Sequence, residues 1–172
     1  MEPKIYTLQE AENASKEYFC GDELAARVWS TKYALKDSFG NLFELTPDDM
    51  HHRLASEIAR IEEKYPNPMS EAELFELMRN FKYIVPQGSP MTGIGNHFQV
   101  SSLSNCFVIG QDGSNDSYGA IIQLDEEQVQ LMKRRGGVGH DLSTIRPNGS
   151  PVKNSALTST GLVPFMERYS NS

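Results

Sequence analysis

Through the first half of the chain, apolar residues recur at helical spacing and are divided by short polar boxes that mark where helices begin. Thr7 with Glu10 forms a capping-box pattern and predicts a helix to about Phe19. Asp22 supplies the next cap, and Leu24, Val28, Thr31 and Leu35 form a stripe that Trp29 and Tyr33 widen. A turn follows at residues 37–41. Thr46 and Pro47 open a third helix striped by Met50, Leu54, Ile58 and Ile61, with Leu45 placed to staple onto Met50. Pro66 and Pro68 stop it, and Ser70 with Glu73 opens a fourth helix carrying Leu74, Leu77, Met78 and Phe81. Residues 7–81 therefore predict a helical lobe.

The pattern changes at Tyr83. Residues 85–95 are rich in Gly, Pro and Ser and predict a boundary, which places a first domain at 1–82 and a second at 83–172. Val100, Leu103, Cys106, Phe107, Val108 and Ile109 predict a strand within 99–109, followed by a polar loop over 110–117. Asp125 with Gln128 predicts a helix that ends at Lys133, Arg134 and Arg135, where a glycine-rich turn, Gly136-Gly137-Val138-Gly139, begins. A last helix is expected near residues 161–169. The fold class is α+β and mainly α. One or two strands cannot make a stable sheet, so the chain is expected to be a fragment of a larger protein.

Composition narrows the function. The chain has 172 residues, 38% of them hydrophobic, and a formal charge of −7, which opposes broad, non-specific nucleic-acid binding. Any polyanion must be met locally, and Lys133, Arg134, Arg135, Arg146 and Lys153 supply the local density. No apolar run approaches a membrane span and the first residues lack signal-peptide character, so a cytoplasmic location without membrane association is expected. Cys20 and Cys106 have no CxxC or histidine spacing, which gives neither a disulfide framework nor a metal site. His51, His52, His97 and His140 likewise show no metal spacing.

Three features carry candidate chemistry. The glycines after the basic helix end read either as a helix C-cap, which accounts for Gly136, or as a close approach of backbone to a ligand, which better accounts for Gly137 and Gly139. No Gly-Lys-Ser/Thr follows, so this is not a Walker loop. Cys106 reads either as a small buried hydrophobe or as a reactive thiol, and the polar run Ser101, Ser102, Ser104 and Asn105 before it favours the thiol. Cys20 has no such setting and is read as structural. Ser89-Pro90 and Asp116-Ser117, taken alone, are ordinary turn or cap pairs.

Taken together, Gly88-Ser89-Pro90, Leu103-Ser104-Asn105-Cys106-Phe107-Val108, Asp116-Ser117-Tyr118, the stretch 133–143 and Ile145-Arg146-Pro147-Asn148-Gly149-Ser150-Pro151-Val152 resemble the N-terminal part of a ribonucleotide reductase catalytic subunit. Gly21-Asp22-Glu23-Leu24-Ala25-Ala26, Arg134-Arg135-Gly136-Gly137-Val138-Gly139-His140-Asp141 and residues 164–172 look most like the adenosylcobalamin-dependent, class II enzymes.

The resemblance implies a helical lobe followed by the opening strands and helices of an incomplete ten-stranded α/β barrel. It implies that Cys106 is one of two thiols that reduce the ribose 2′ position, which fits a dithiol's capacity to give two electrons. Ser89, Asn105 and Gly137 fall at substrate-contact positions. Asp116, Ser117, Arg146 and Lys153 fall at positions of a site for a deoxynucleotide effector at a subunit interface. The implied partners are a ribonucleotide, that effector, a second copy of the full enzyme and a thiol reductant such as thioredoxin. Adenosylcobalamin is the implied cofactor, bound mainly outside these residues. The radical cysteine and the second reducing cysteine are expected beyond residue 172, so these residues alone should not turn over, and no N-terminal ATP cone is expected. Two rivals stand beside this reading: a class I subunit that takes its radical from a separate protein, and a stand-alone nucleotide-binding regulatory module.

Overall fold

Each of the four polar boxes in the first half closes the helix it marks. In the computed structural model, which describes residues 4–110 and 116–172, α1 spans Leu8–Tyr18 and the Glu10 carboxylate accepts from the Thr7 backbone N–H at 2.8 Å. Helix α2 spans Glu23–Lys32, and Asp22 accepts from the Ala25 N–H at 2.9 Å. Helix α3 spans Pro47–Glu62, with the Asp49 carboxylate accepting from the Leu45 and Thr46 N–H groups. Helix α4 spans Glu71–Met78 behind Ser70, whose N–H donates to Glu73. Such caps satisfy donors that the helix itself leaves open, at about 1 kcal/mol each.

The helices enclose a core of Ala11, Trp29, Ala34, Leu42, Met50, Leu54, Ala55, Leu74 and Met78. The buried face of α2 differs from the expected stripe: Leu24 is 73% exposed, and Ala26, Trp29 and Ser30 face inward. A tryptophan buries more area than any other side chain, so Trp29 sets the rotation of the helix. Helix α4 also stops one turn short of Phe81, because Asn80 and Phe81 take positive φ in a short 3-10 turn. The Tyr18 hydroxyl accepts from the Asn80 N–H there at 2.9 Å.

The chain divides into two compact units after Leu103. The Gly- and Pro-rich stretch from Tyr83, assigned by sequence to the second domain, thus lies with the helical unit. Within it Ser89-Pro90 is not a turn but the start of α5, Gly88–Gly93, where Ser89 is buried.

In the second unit, β1 is shorter than its apolar pattern, spanning only Cys106–Ile109. The following loop falls largely at residues 111–115, outside the described residues. Helix α6 covers Tyr118–Met132, and Ser117 caps it by accepting from the Ala120 N–H at 3.2 Å. Asp125 is therefore no N-cap. It lies in mid-helix, and its carboxylate meets the Arg168 guanidinium of α7, Val163–Asn171, at 2.7 Å. Gln128, expected as the partner of that cap, is buried and donates to the Tyr169 carbonyl at 2.9 Å.

The glycine-rich segment is also not a loop. Gly137–His140 forms β2, parallel to β1, in the register Cys106↔Gly137, Phe107↔Val138, Val108↔Gly139 and Ile109↔His140. Between α6 and β2, Arg135 rather than Gly136 takes the left-handed conformation, with φ +69°, and the Gly136 N–H closes the turn on the Leu131 carbonyl at 3.0 Å. The fold is thus α+β and mainly α: an all-helical lobe, then a β1–α6–β2 unit joined by α7.

Candidate functional site

The two strands present their faces unequally. Phe107, Ile109, Val138 and His140 are half-buried, while Cys106, Val108, Gly137 and Gly139 are exposed. Alternation along a strand puts residues two apart on one face. The inward face packs toward Ile121, Leu124 and Tyr169, against which Ile109 and Phe165 lie. His140 stacks flat on Tyr169 with ring centroids 4.3 Å apart. Burial holds the His140 imidazole below its ordinary value against the opposing charge of Asp125.

On the other face, Cys106 and Gly137 are direct partners. The Gly137 N–H donates to the Asn105 carbonyl at 2.5 Å, and a Cβ added to Gly137 would lie 3.2 Å from that oxygen and 4.0 Å from the Cys106 sulfur. Glycine at 137 leaves the space beside the sulfur open. The Cys106 thiol is exposed among the described residues. Cys20, read as structural, is also exposed and occupies a positive-φ turn after α1 rather than the core.

A second set of residues converges in a pocket of about 430 Å³ lined by Asp116, Ser117, Tyr118, Arg146, Lys153 and Phe165, among others. Pockets of this size suit small-molecule ligands. Asp116 organises it: Arg146 donates to the carboxylate through its backbone N–H at 3.2 Å and through Nε at 2.6 Å. Desolvation pushes the Asp116 carboxyl up, but the bonds from Arg146 outweigh it and hold the group below its ordinary value. Arg146 also donates to the Pro151 carbonyl at 3.3 Å, tying the strand-like segment around Pro151 and Thr158 to the pocket. Tyr118 and Phe165 meet edge to face on the apolar side, with centroids 5.7 Å apart. Sequence reasoning places Tyr118 within a motif and Phe165 within the last helix but assigns neither to a site, since nothing local signals a shared pocket.

The structure thus brings Asn105, Cys106 and Gly137 together, and separately Asp116, Ser117, Arg146 and Lys153. Ser89 lies in the other unit. The basic helix end is partly self-satisfied, since Arg134 donates to the Gln130 carbonyl at 2.7 Å, an ordinary helix-terminal bond. Among the described residues no group of His, Cys, Asp and Glu is arranged to hold a metal ion, and no helix is long and apolar enough to cross a membrane.

The architecture is an all-helical lobe followed by a parallel β–α–β opening in which an exposed thiol lies beside a glycine. Residues 21–92 match the ribonucleotide reductase all-alpha domain, and residues 104–172 match the ribonucleotide reductase barrel domain. The chain belongs to the ribonucleotide reductase large-subunit family and carries its N-terminal part. It is similar to the ribonucleoside-diphosphate reductase subunit alpha of Helicobacter pylori, 28% identical over 84% of this chain and 17% of that protein. It is similar also to the ribonucleoside-diphosphate reductase large chain 2 of Saccharomyces cerevisiae, 33% identical over 40% of this chain and 8% of that protein. A third relative is the subunit alpha of Buchnera aphidicola, 27% identical over 62% of this chain and 14% of that protein. The chain therefore spans less than a fifth of the length of these relatives.

Proposed function

We propose that these residues form part of an enzyme that reduces ribonucleotides to deoxyribonucleotides by thiyl-radical chemistry, with Cys106 as one of its two reducing thiols. The observation that supports this reading most is the pairing of the Cys106 sulfur with the side-chain-free Gly137 on one exposed sheet face. A sugar can approach a thiol there without meeting a side chain from β2. The Asn105 and Gly137 backbone, joined by the 2.5 Å bond, fixes the height of the sulfur above that face. Ser89 is a further substrate contact in this reading.

The chemistry balances. The 2′ C–O bond breaks and the hydroxyl leaves as water with the proton of one thiol. A C–H bond takes its place with the hydrogen of the other, and the two electrons come from forming an S–S bond between Cys106 and the second thiol. That second thiol and the radical cysteine belong to parts of the enzyme outside these residues. A dithiol reductant such as thioredoxin then restores Cys106.

Asp116, Ser117, Arg146 and Lys153 form the effector site in the same reading. Arg146 and Lys153 meet the phosphates of a deoxynucleotide, and Asp116 and Ser117 accept from or donate to its sugar. The intact enzyme acts as a homodimer, in the cytoplasm.

Adenosylcobalamin, when bound, supplies the radical that starts the reaction. The residues at the sheet do not fit it as a ligand set, because the His140 ring lies flat on Tyr169 and its Nε2 is buried. None of the chemistry assigned to this chain passes through the cofactor. One observation favours a second reading, a class I subunit that takes its radical from a separate protein: the relatives are named subunit alpha and large chain. Spectroscopic titration of the full-length protein with cobalamin separates the two.

The test of the main reading is Cys106→Ser in the full-length protein. Loss of sustained turnover with the helical lobe still folded is expected, and normal multiple turnover refutes the role of Cys106.

A further inference from the structure

We propose that Arg53 is a positioning residue that holds the short helix α5, and with it Ser89, in place from below. The proposal rests on the reading of Ser89 as a substrate contact. Helix α5 has only six residues, Gly88–Gly93, too few to be stable by itself. Its C-terminal carbonyls need partners from elsewhere.

Each of them has one. The Pro90 carbonyl accepts from the Ile94 N–H at 3.1 Å, and the Gly93 carbonyl from the Asn96 N–H at 3.2 Å. The Thr92 carbonyl accepts from the Asn96 side chain at 3.0 Å. The two that remain, Met91 and Ile94, are taken by one guanidinium: Arg53 Nη2 donates to the Met91 carbonyl at 2.8 Å, and Nη1 donates to that of Ile94. The positive charge at this helix end also complements its dipole.

The guanidinium is itself fixed. Its Nε donates to Glu44 at 2.7 Å, and the two side chains are only 10% and 4% exposed. The other Glu44 oxygen accepts from the Leu35 N–H at 2.7 Å. Arg53 thus joins α3, the segment before it and α5 through one planar fork, which a lysine cannot copy.

Packing gives a second, independent sign. Gly95 has φ +69°, and a Cβ there would lie 2.7 Å from Arg53 Cγ and 3.1 Å from Glu57 Cγ. The chain leaving α5 is wrapped on the Arg53 stem so closely that only glycine fits both the space and the conformation. Ser89, one turn upstream and 3% exposed, has its position set by this attachment.

The test compares Ser89→Ala, Arg53→Lys and the double variant Arg53→Met with Glu44→Gln in the full-length enzyme. The double variant leaves no buried charge behind, so it folds even if Arg53→Met alone does not. Steady-state kinetics and hydrogen exchange of amides 88–94 are read in each. The expected result is a rise in KM of about fivefold or more in all three, with kcat changed less than about twofold, and faster exchange at 88–94 in the two Arg53 variants only. A raised KM in Ser89→Ala with unchanged KM and exchange in the Arg53 variants overturns the inference and leaves the role of Ser89 standing. Unchanged KM in Ser89→Ala overturns both.

Discussion

Cys106 and Gly137 stand opposite each other in a parallel strand pair, and a single methyl on Gly137 would reach within 4.0 Å of the sulfur. Gly139, two residues on and on the same face, differs: its added Cβ would meet only the Phe107 carbonyl oxygen, at 3.8 Å. The two glycines therefore predict different outcomes. Gly137→Ala meets the Asn105 oxygen at 3.2 Å and is expected to cost about 1–3 kcal/mol of stability. It should also lower kcat by about tenfold in the full-length enzyme, since displacement of a reacting group by a fraction of an ångström costs heavily. Gly139→Ala should change neither by much. Chemical denaturation and steady-state kinetics on the pair check this, and equal effects would remove the special place of Gly137.

The pocket around Asp116 makes a separate prediction. Removing the Arg146 guanidinium takes away its bonds to Asp116 and Pro151 and, in the proposed effector reading, a phosphate contact. Charged hydrogen bonds are worth about 1.5–3 kcal/mol each, so Arg146→Ala should weaken deoxynucleotide binding by about tenfold or more. Substrate reduction should fall less. Isothermal titration of deoxynucleotides, alongside the reduction assay, measures both, and an unchanged effector response would count against the site. If deoxynucleotides bind tightly while Cys106 proves inert to alkylating reagents, the regulatory-module rival is favoured instead.

His51 gives the helical lobe a pH dependence. It is wholly buried, packs edge-on to Phe81 at 4.7 Å, and has Asp48 as its acidic neighbour at 3.6 Å. Burial lowers its pKa below 6.5, and Asp48 offsets that only in part. The unfolded chain then binds a proton more readily than the folded one. Stability from this group is complete above 6.5 and is lost as pH falls below it. The carboxylates with lowered values, such as Glu10 and Glu73, contribute their loss only in more acid solution. Trp29 is the single tryptophan and lies in the lobe core, so its fluorescence follows this unit. The midpoint of thermal unfolding should decline from pH 6.5 downward, and His51→Leu should flatten that decline. An identical slope in the variant would contradict the assignment.

Gly95→Ala tests the packing on which the Arg53 attachment depends. The new Cβ, 2.7 Å from Arg53 Cγ at a position with φ +69°, should destabilise the lobe by about 1–3 kcal/mol. Denaturant midpoints would show it, and a neutral result would mean that the Arg53 stem can move away.

Much of this organisation is legible in the sequence, and the limits have physical causes. Thr7, Asp22, Thr46 and Ser70 announce their helices because a cap acts within four residues. Asp125 carries the same local pattern and misleads, since its partner Arg168 lies on another helix and no local rule sees it. Leu24 is apolar and exposed because the larger Trp29 turns α2 away from it. The glycines at 136–139 look like a turn because glycine is a poor strand former, yet β1 alongside makes them a strand. For the site, Asp116, Ser117, Arg146 and Lys153 are named by motif resemblance, and the structure lines one pocket with all four. Tyr118 enters that pocket as the neighbour of Ser117 in the Asp116-Ser117-Tyr118 motif, whereas Phe165 reaches it from the last helix through tertiary packing, which no local pattern shows.

The most direct measurement follows the sulfur itself. The full-length enzyme, fully reduced, is given ribonucleotide without external reductant, quenched after a single turnover and alkylated, and the peptide containing Cys106 is examined by mass spectrometry. One disulfide involving Cys106 for each deoxynucleotide formed is the predicted result. Deoxynucleotide formed while Cys106 stays a free, alkylated thiol would contradict the account.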